Sequence, residues 1–166
     1  MEIVYYPDPV LQRRAAPVDL AMEGLAEFVE EMKAAMKSAN GVGLAAPQVG
    51  RSLRLFIASE SGEVADAVAF INPELRTFGE RVPFEEGCLS LPGVNGDVER
   101  PESVAVSWTD VHGKRHEEEF SKLMARIVQH EFDHLEGILF ITRLTPADRI
   151  RVKPALDSFE EHYRSG

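Results

Sequence analysis

Between Leu20 and Ala39 the apolar residues Leu25, Phe28, Val29, Met32 and Met36 return every three or four positions, with Glu and Lys between them. That period puts them on one stripe of an amphipathic helix, and Asn40-Gly41 supplies its stop. Shorter apolar runs follow the Gly-rich segment. Leu53–Ala58 and Val68–Ile71 read as strands, and the alternating stretch Val104–Trp108 reads as another. Turn signals lie between them at Asn72-Pro73, Pro92-Gly93 and Asn95-Gly96. The helical period returns from about Ser121 to Leu135, with Ser121 as N-cap and Gly137 as stop. A third helix starts near Thr145-Pro146, where a cap residue precedes a proline suited to the first helical position, and it runs towards Tyr163.

Strands bunched in the middle, rather than alternating one for one with helices, predict an α+β fold with a mostly antiparallel sheet. At 166 residues, with 44% hydrophobic and 28% charged side chains, the chain has the size and composition of a single domain over residues 1–166. No internal repeat, low-complexity tract or linker divides it. A formal net charge of -10 and a pI near 5.0 argue against a partner held through phosphates. No long apolar run is present, and Met1–Pro7 has neither the basic nor the apolar part of a leader, so a cytoplasmic protein without membrane attachment is expected.

A single cysteine, Cys88, rules out an intramolecular disulfide. It could be a small buried hydrophobe, a nucleophile or a metal ligand. The chemistry enters through Gln129-His130-Glu131-Phe132-Asp133-His134, an H-E-x-x-H pattern inside the second predicted helix. Two histidines four apart lie one turn from each other and can chelate one ion. Leu123, Ile127, His130 and His134 share a face, so the imidazoles should point at the core. Glu131 then sits beside the ion, where a carboxylate can take a proton from an activated water and pass it to a leaving group. Two histidines fall one protein ligand short of an open tetrahedral site, and the only later histidine, His162, lies at no familiar spacing. Cys88, flanked by Gly87 and Gly93, is the alternative third ligand.

Three separated segments now carry a likeness. Gly41-Val42-Gly43-Leu44-Ala45-Ala46-Pro47-Gln48, Glu86-Gly87-Cys88-Leu89-Ser90 and Gln129–Gly137 are similar, in order and separation, to the three motifs of peptide deformylases. The resemblance spans essentially the whole chain. It implies a sheet packed around a central helix carrying the histidines, with an N-terminal and a C-terminal helix. It also implies hydrolytic removal of the formyl group from the N-terminal formyl-methionine of newly made proteins. Metal ligands would be Cys88, His130 and His134, and Glu131 would move protons. Gln48 and the backbone N–H of Leu89 would bind the developing oxyanion. Val42, Gly43, Phe84, Leu123, Arg126 and Ile127 match positions lining the methionine pocket. Leu123 and Ile127 can equally be core, and Arg126 either sits at the pocket mouth or is solvated.

Two imidazoles and a thiolate suit zinc or ferrous iron. The resemblance favours Fe2+, with Zn2+, Ni2+ or Co2+ as substitutes. Partners implied are N-formyl-methionyl nascent peptides, with the ribosome near the exit tunnel as a further candidate. Asp133 is a candidate to orient an imidazole, or else a solvated or capping residue. Glu86 and Arg100 are candidates to pair and fix the Cys88 segment, and Glu117–Glu119 reads as a solvated face. The competing readings are a zinc-dependent peptidase, which shares the histidine pattern, and a non-catalytic metal-binding module of the same fold.

Overall fold

The computed structural model describes residues 1–166. Its main elements are helix α1 (Leu25–Ser38), strands β1 (Gly43–Ala45), β2 (Leu55–Ala58), β3 (Val68–Cys88), β4 (Leu91–Thr109) and β5 (Arg115–Ser121), then helices α2 (Lys122–Leu135) and α3 (Pro146–Ser165). The strands form one sheet in the order β1-β2-β3-β4-β5, every neighbour antiparallel. An α+β fold with an antiparallel sheet around a histidine-bearing helix is therefore what the chain adopts.

Helix α1 starts five residues later than the apolar period suggests, because Gly24 takes a left-handed conformation at its N-cap. It ends as expected, with Asn40 left-handed at φ 58 and the Gly41 N–H donating to the Met36 carbonyl at 3.0 Å. Ser121 precedes α2, but its side chain makes no cap bond, a correction to the expected N-cap role. Thr145 does cap α3, accepting from the Asp148 N–H at 3.3 Å ahead of Pro146.

Strand β2 is buried on both faces, which is why Leu55–Ala58 is uniformly apolar. Successive side chains point to opposite sides. Leu55 and Ile57 therefore join Leu25, Phe28, Val29, Met32 and Met36 of α1, while Phe56 and Ala58 join Phe70, Val104, Val106, Trp108 and the Ala125, Val128 and Leu135 of α2. Each large buried side chain contributes roughly 1.5–3 kcal/mol of gross burial. Helix α2 is thus packed against one face of the sheet. A third apolar cluster joins Leu91, Val94 and Val98 of β4 to Phe140, Ile141, Leu144 and Val152, fastening α3 over the closed end of the β3–β4 hairpin.

Two strands are far longer than their apolar cores. Beyond Ile71 most of β3 is exposed, and only the register with β4, down to Cys88 opposite Leu91, carries it on. Strands β1 and β5 have no strand-like pattern in sequence. The first is three residues long, and the second is the charged edge Arg115–Ser121, in which Glu117–Glu119 is solvated as expected but extended.

Candidate metal centre

Cys88 ends β3, and the two residues Leu89-Ser90 turn the hairpin into β4. That turn brings the sulfur to the buried C-terminal half of α2, where His130 and His134 lie one turn apart, edge to face, with ring centroids 5.1 Å from each other. Cys88 Sγ lies 3.4 Å from His134 Nε2, and one donor atom from each of the three residues falls within 4.8 Å of the others.

The cluster fits a divalent ion by the state of its atoms. Glu131 Oε1 is buried without any hydrogen-bond partner, a costly arrangement that a cation close by would relieve. Burial, reinforced by the charges on His130 and Arg100, pushes His134 well below the ordinary histidine range and leaves it neutral, as a ligand must be. Burial also opposes a charge on His130. There, hydrogen bonds to Cys88 and Glu86 and the nearby Glu131 charge outweigh it and hold the ring well above the usual range. A cation between the donors would displace that proton.

Glu86, two residues before Cys88, accepts His130 Nδ1 at 2.9 Å, so His130 turns Nε2 towards the sulfur. The Arg100 guanidinium grips the same carboxylate through Nε at 2.7 Å and Nη2 at 3.0 Å, and donates from Nη1 to Asp133 at 2.9 Å. Burial works against the Glu86 charge, but the hydrogen bonds from His130 and Arg100 hold its carboxyl well below the usual range. The expected Glu86–Arg100 pair is therefore present and buried.

Two expectations are corrected. Asp133 touches neither imidazole. It is taken by Arg100 and by Arg143, whose Nε and Nη2 lie at 2.7 and 3.1 Å, and Glu86 orients the histidine instead. Arg126 is neither solvated nor free at the pocket mouth. It is 8% exposed and donates to Glu86 at 3.0 Å, to the Val98 carbonyl at 2.8 Å and to the Val82 carbonyl at 2.6 Å.

Glu131 points at the donors from the next position on α2. Burial pushes its carboxyl up to about 7, against the pull of His130. Gly43 explains the second glycine of the first motif, because a Cβ there would stand 2.6 Å from Glu131 Oε2. Gln48, only 1% exposed, accepts the Ala45 N–H at Oε1 (3.0 Å). This turns Nε2 towards Ser90 Oγ (3.1 Å) and Cys88 Sγ (3.4 Å). A cavity of about 330 Å³ opens over these groups, and all six expected pocket residues, Val42, Gly43, Phe84, Leu123, Arg126 and Ile127, line it together with Leu89. Ile127 is also core, at 5% exposed, whereas Leu123 stands at the rim. Sequence reasoning did not single out Ser90, which orients Gln48, or Arg143. Neither carries a spacing signal, although Ser90 lies inside the second motif.

The chain matches the family model described as polypeptide deformylase over residues 1–150. It is 39% identical to peptide deformylase 1B, chloroplastic/mitochondrial, of Arabidopsis thaliana, over 98% of this chain and 61% of that protein. It is 44% identical to a peptide deformylase of Chlorobaculum parvum, over 94% of this chain and 86% of that protein. A crystal structure of peptide deformylase from Plasmodium falciparum superposes with a TM-score of 0.95 at 38% identity, covering 99% of this chain and 98% of that one. Measured against the two plant relatives, the chain spans about three-fifths of their length.

Proposed function

Because the chain belongs to the polypeptide deformylase family, we infer that it is a metal-dependent hydrolase removing the formyl group from the N-terminal formyl-methionine of newly synthesised proteins. The observation that carries this is the convergence of Cys88, His130 and His134 beside a buried, unpartnered Glu131 carboxylate at the floor of an apolar-rimmed cavity. Those three side chains would hold one divalent ion, which when bound supplies the Lewis acidity that makes water nucleophilic near neutral pH. The mixed nitrogen and sulfur donors fit ferrous iron or zinc, and the family resemblance supports Fe2+, with Zn2+, Ni2+ or Co2+ able to take its place.

Glu131 takes a proton from the attacking water and delivers it to the departing amine nitrogen as the C–N bond breaks and formate leaves. A carboxyl held near neutrality by burial suits both halves of that transfer. Gln48 Nε2, held by its own Oε1 bond to Ala45, and the Leu89 N–H stabilise the oxygen on which charge develops. Val42, Gly43, Phe84, Leu123, Arg126 and Ile127 enclose the methionine side chain.

No helix is long and apolar enough to cross a membrane. The substrates of this reading are nascent chains in the cytoplasm, met near the ribosomal exit tunnel. The test is an anaerobic preparation assayed on formyl-Met and free Met peptides, with metal analysis of the same sample. Formate release from the formylated peptide alone, proportional to bound metal, is expected. Cleavage of internal or unformylated peptides would overturn the reading.

A further inference from the structure

The mechanism gives Arg126 only a place in the pocket wall, yet it is one of the most heavily engaged side chains at the site. It lies one turn before His130 on α2, and both residues reach the same carboxylate. Glu86 Oε1 accepts from His130 Nδ1, and Glu86 Oε2 accepts from Arg126 Nη1. The other Arg126 contacts are the carbonyls of Val98 on β4 and Val82 on β3. Burying a guanidinium in the wall of an apolar cavity is costly unless its donors are used, and three acceptors on the hairpin use them. On the far side of His130, Asp133 of α2 binds Arg100 of β4. The helix is therefore gripped before and after the ligand.

We propose that Arg126 is a positioning residue for the metal centre. By clamping Glu86 from the helix side it holds that carboxylate against His130 Nδ1, so that the ring keeps Nε2 aimed at Cys88. Arg100 fixes Glu86 to the hairpin, whereas Arg126 and His130 are the groups that tie it to α2. Without Arg126, the imidazole can pivot on a carboxylate that no longer moves with the helix. The proposal rests on the reading of Cys88, His130 and His134 as a metal centre, and extends it to a residue that holds no ion itself.

Arg126→Met keeps the bulk and the apolar wall beside Phe84 but removes the donors. The affinity of the metal-free protein for Zn2+ and for Co2+ is read by competition with a chromophoric chelator, with circular dichroism confirming the fold. The expected result is an affinity about 10- to 100-fold weaker, the range for groups that orient a ligand, together with altered Co2+ absorption bands. Arg126→Lys should recover part of the loss, because it restores charge but not the fork. Arg126→Met should add less than about twofold on top of Glu86→Gln, since both act on one hydrogen bond. Affinity in Arg126→Met within threefold of wild type overturns the proposal, as do losses that multiply in the double variant. If Arg126→Met does not fold, Arg126→Gln and Arg126→Lys carry the same comparison. Wild-type protein that binds neither ion would instead sink the metal-centre reading itself.

Discussion

Replacing Glu131 with methionine should make the metal-free protein more stable while abolishing its activity, and the structure sets the size of both effects. Glu131 is buried, its Oε1 has no partner, and burial raises its carboxyl from 4.5 to about 7. A folded-state pKa above the unfolded one means that the proton stabilises the fold. That contribution is complete below 4.5 and is lost as pH rises through about 7. At 1.36 kcal/mol for each pH unit between the two values, ionised Glu131 costs the metal-free fold about 3 kcal/mol. Methionine keeps the length of the side chain, cannot ionise and adds no unpartnered donor. In thermal unfolding at pH 8, Glu131→Met should therefore melt roughly 6–12 °C above wild type, at about 2–4 °C per kcal/mol for a chain of this size. At pH 4 the two should nearly coincide. Loading the site with a divalent ion should shrink the gap, because the cation stabilises the carboxylate. Turnover should fall by roughly 100- to 10,000-fold in the variant. A variant no more stable than wild type at pH 8, or equally stabilised at pH 4, would refute the reasoning.

Arg100→Met should destabilise the fold by about 3 kcal/mol, the lower end for breaking a buried pair, because Arg126 and Arg143 still partly satisfy the two carboxylates it leaves; a denaturant midpoint unchanged from wild type would show the network to be idle. Cys88→Asp, still an anionic donor, should keep some bound metal by elemental analysis whereas Cys88→Ala loses most of it, and a formyl-thioester found on Cys88 by mass spectrometry would make the thiol a nucleophile instead. Cys88 is only partly buried and lines the open cavity. Iron-loaded protein kept in air should therefore lose activity and metal together as the Cys88 peptide gains oxygen, while nickel-loaded protein persists; equal durability of the two forms would argue against an iron site.

Helices α1 and α2 were legible from sequence because each carries a 3.6-residue apolar stripe and a local stop signal, and α3 because Thr145-Pro146 marks its start. Strands β1 and β5 were not. Gly43–Ala45 is too short to show any period, and Arg115–Ser121 is a charged edge whose backbone pairing, not side-chain burial, makes it a strand. The length of β3 was hidden for the same reason, since its outer part holds exposed residues and Pro83. At the site, Cys88, His130, His134 and Glu131 were legible as motif residues. Of their supports only the Glu86–Arg100 pair was, because Arg126 reaches Glu86 and Asp133 reaches Arg100 from positions tens of residues away, Arg143 joins them only through Asp133, and spacing alone cannot tell a buried arginine from a solvated one. Asp133 drew the orienting role only by adjacency to the ligands; Glu86 holds it, by way of the strand that brings Cys88 in.

The donors of the centre come from two pieces of chain, the closed end of one hairpin and one helix, so an ion seated there is also a staple that shuts the loop from Cys88 to His130. Closing such a loop removes freedom from the unfolded chain, and an ion at a thousand times its dissociation constant adds about 4 kcal/mol to the fold. The same junction is bolted a second time by Glu86, Arg100 and Asp133, without any metal. A chain stripped of its ion should therefore keep the seam closed and wait as a ready receptacle, refilled without refolding.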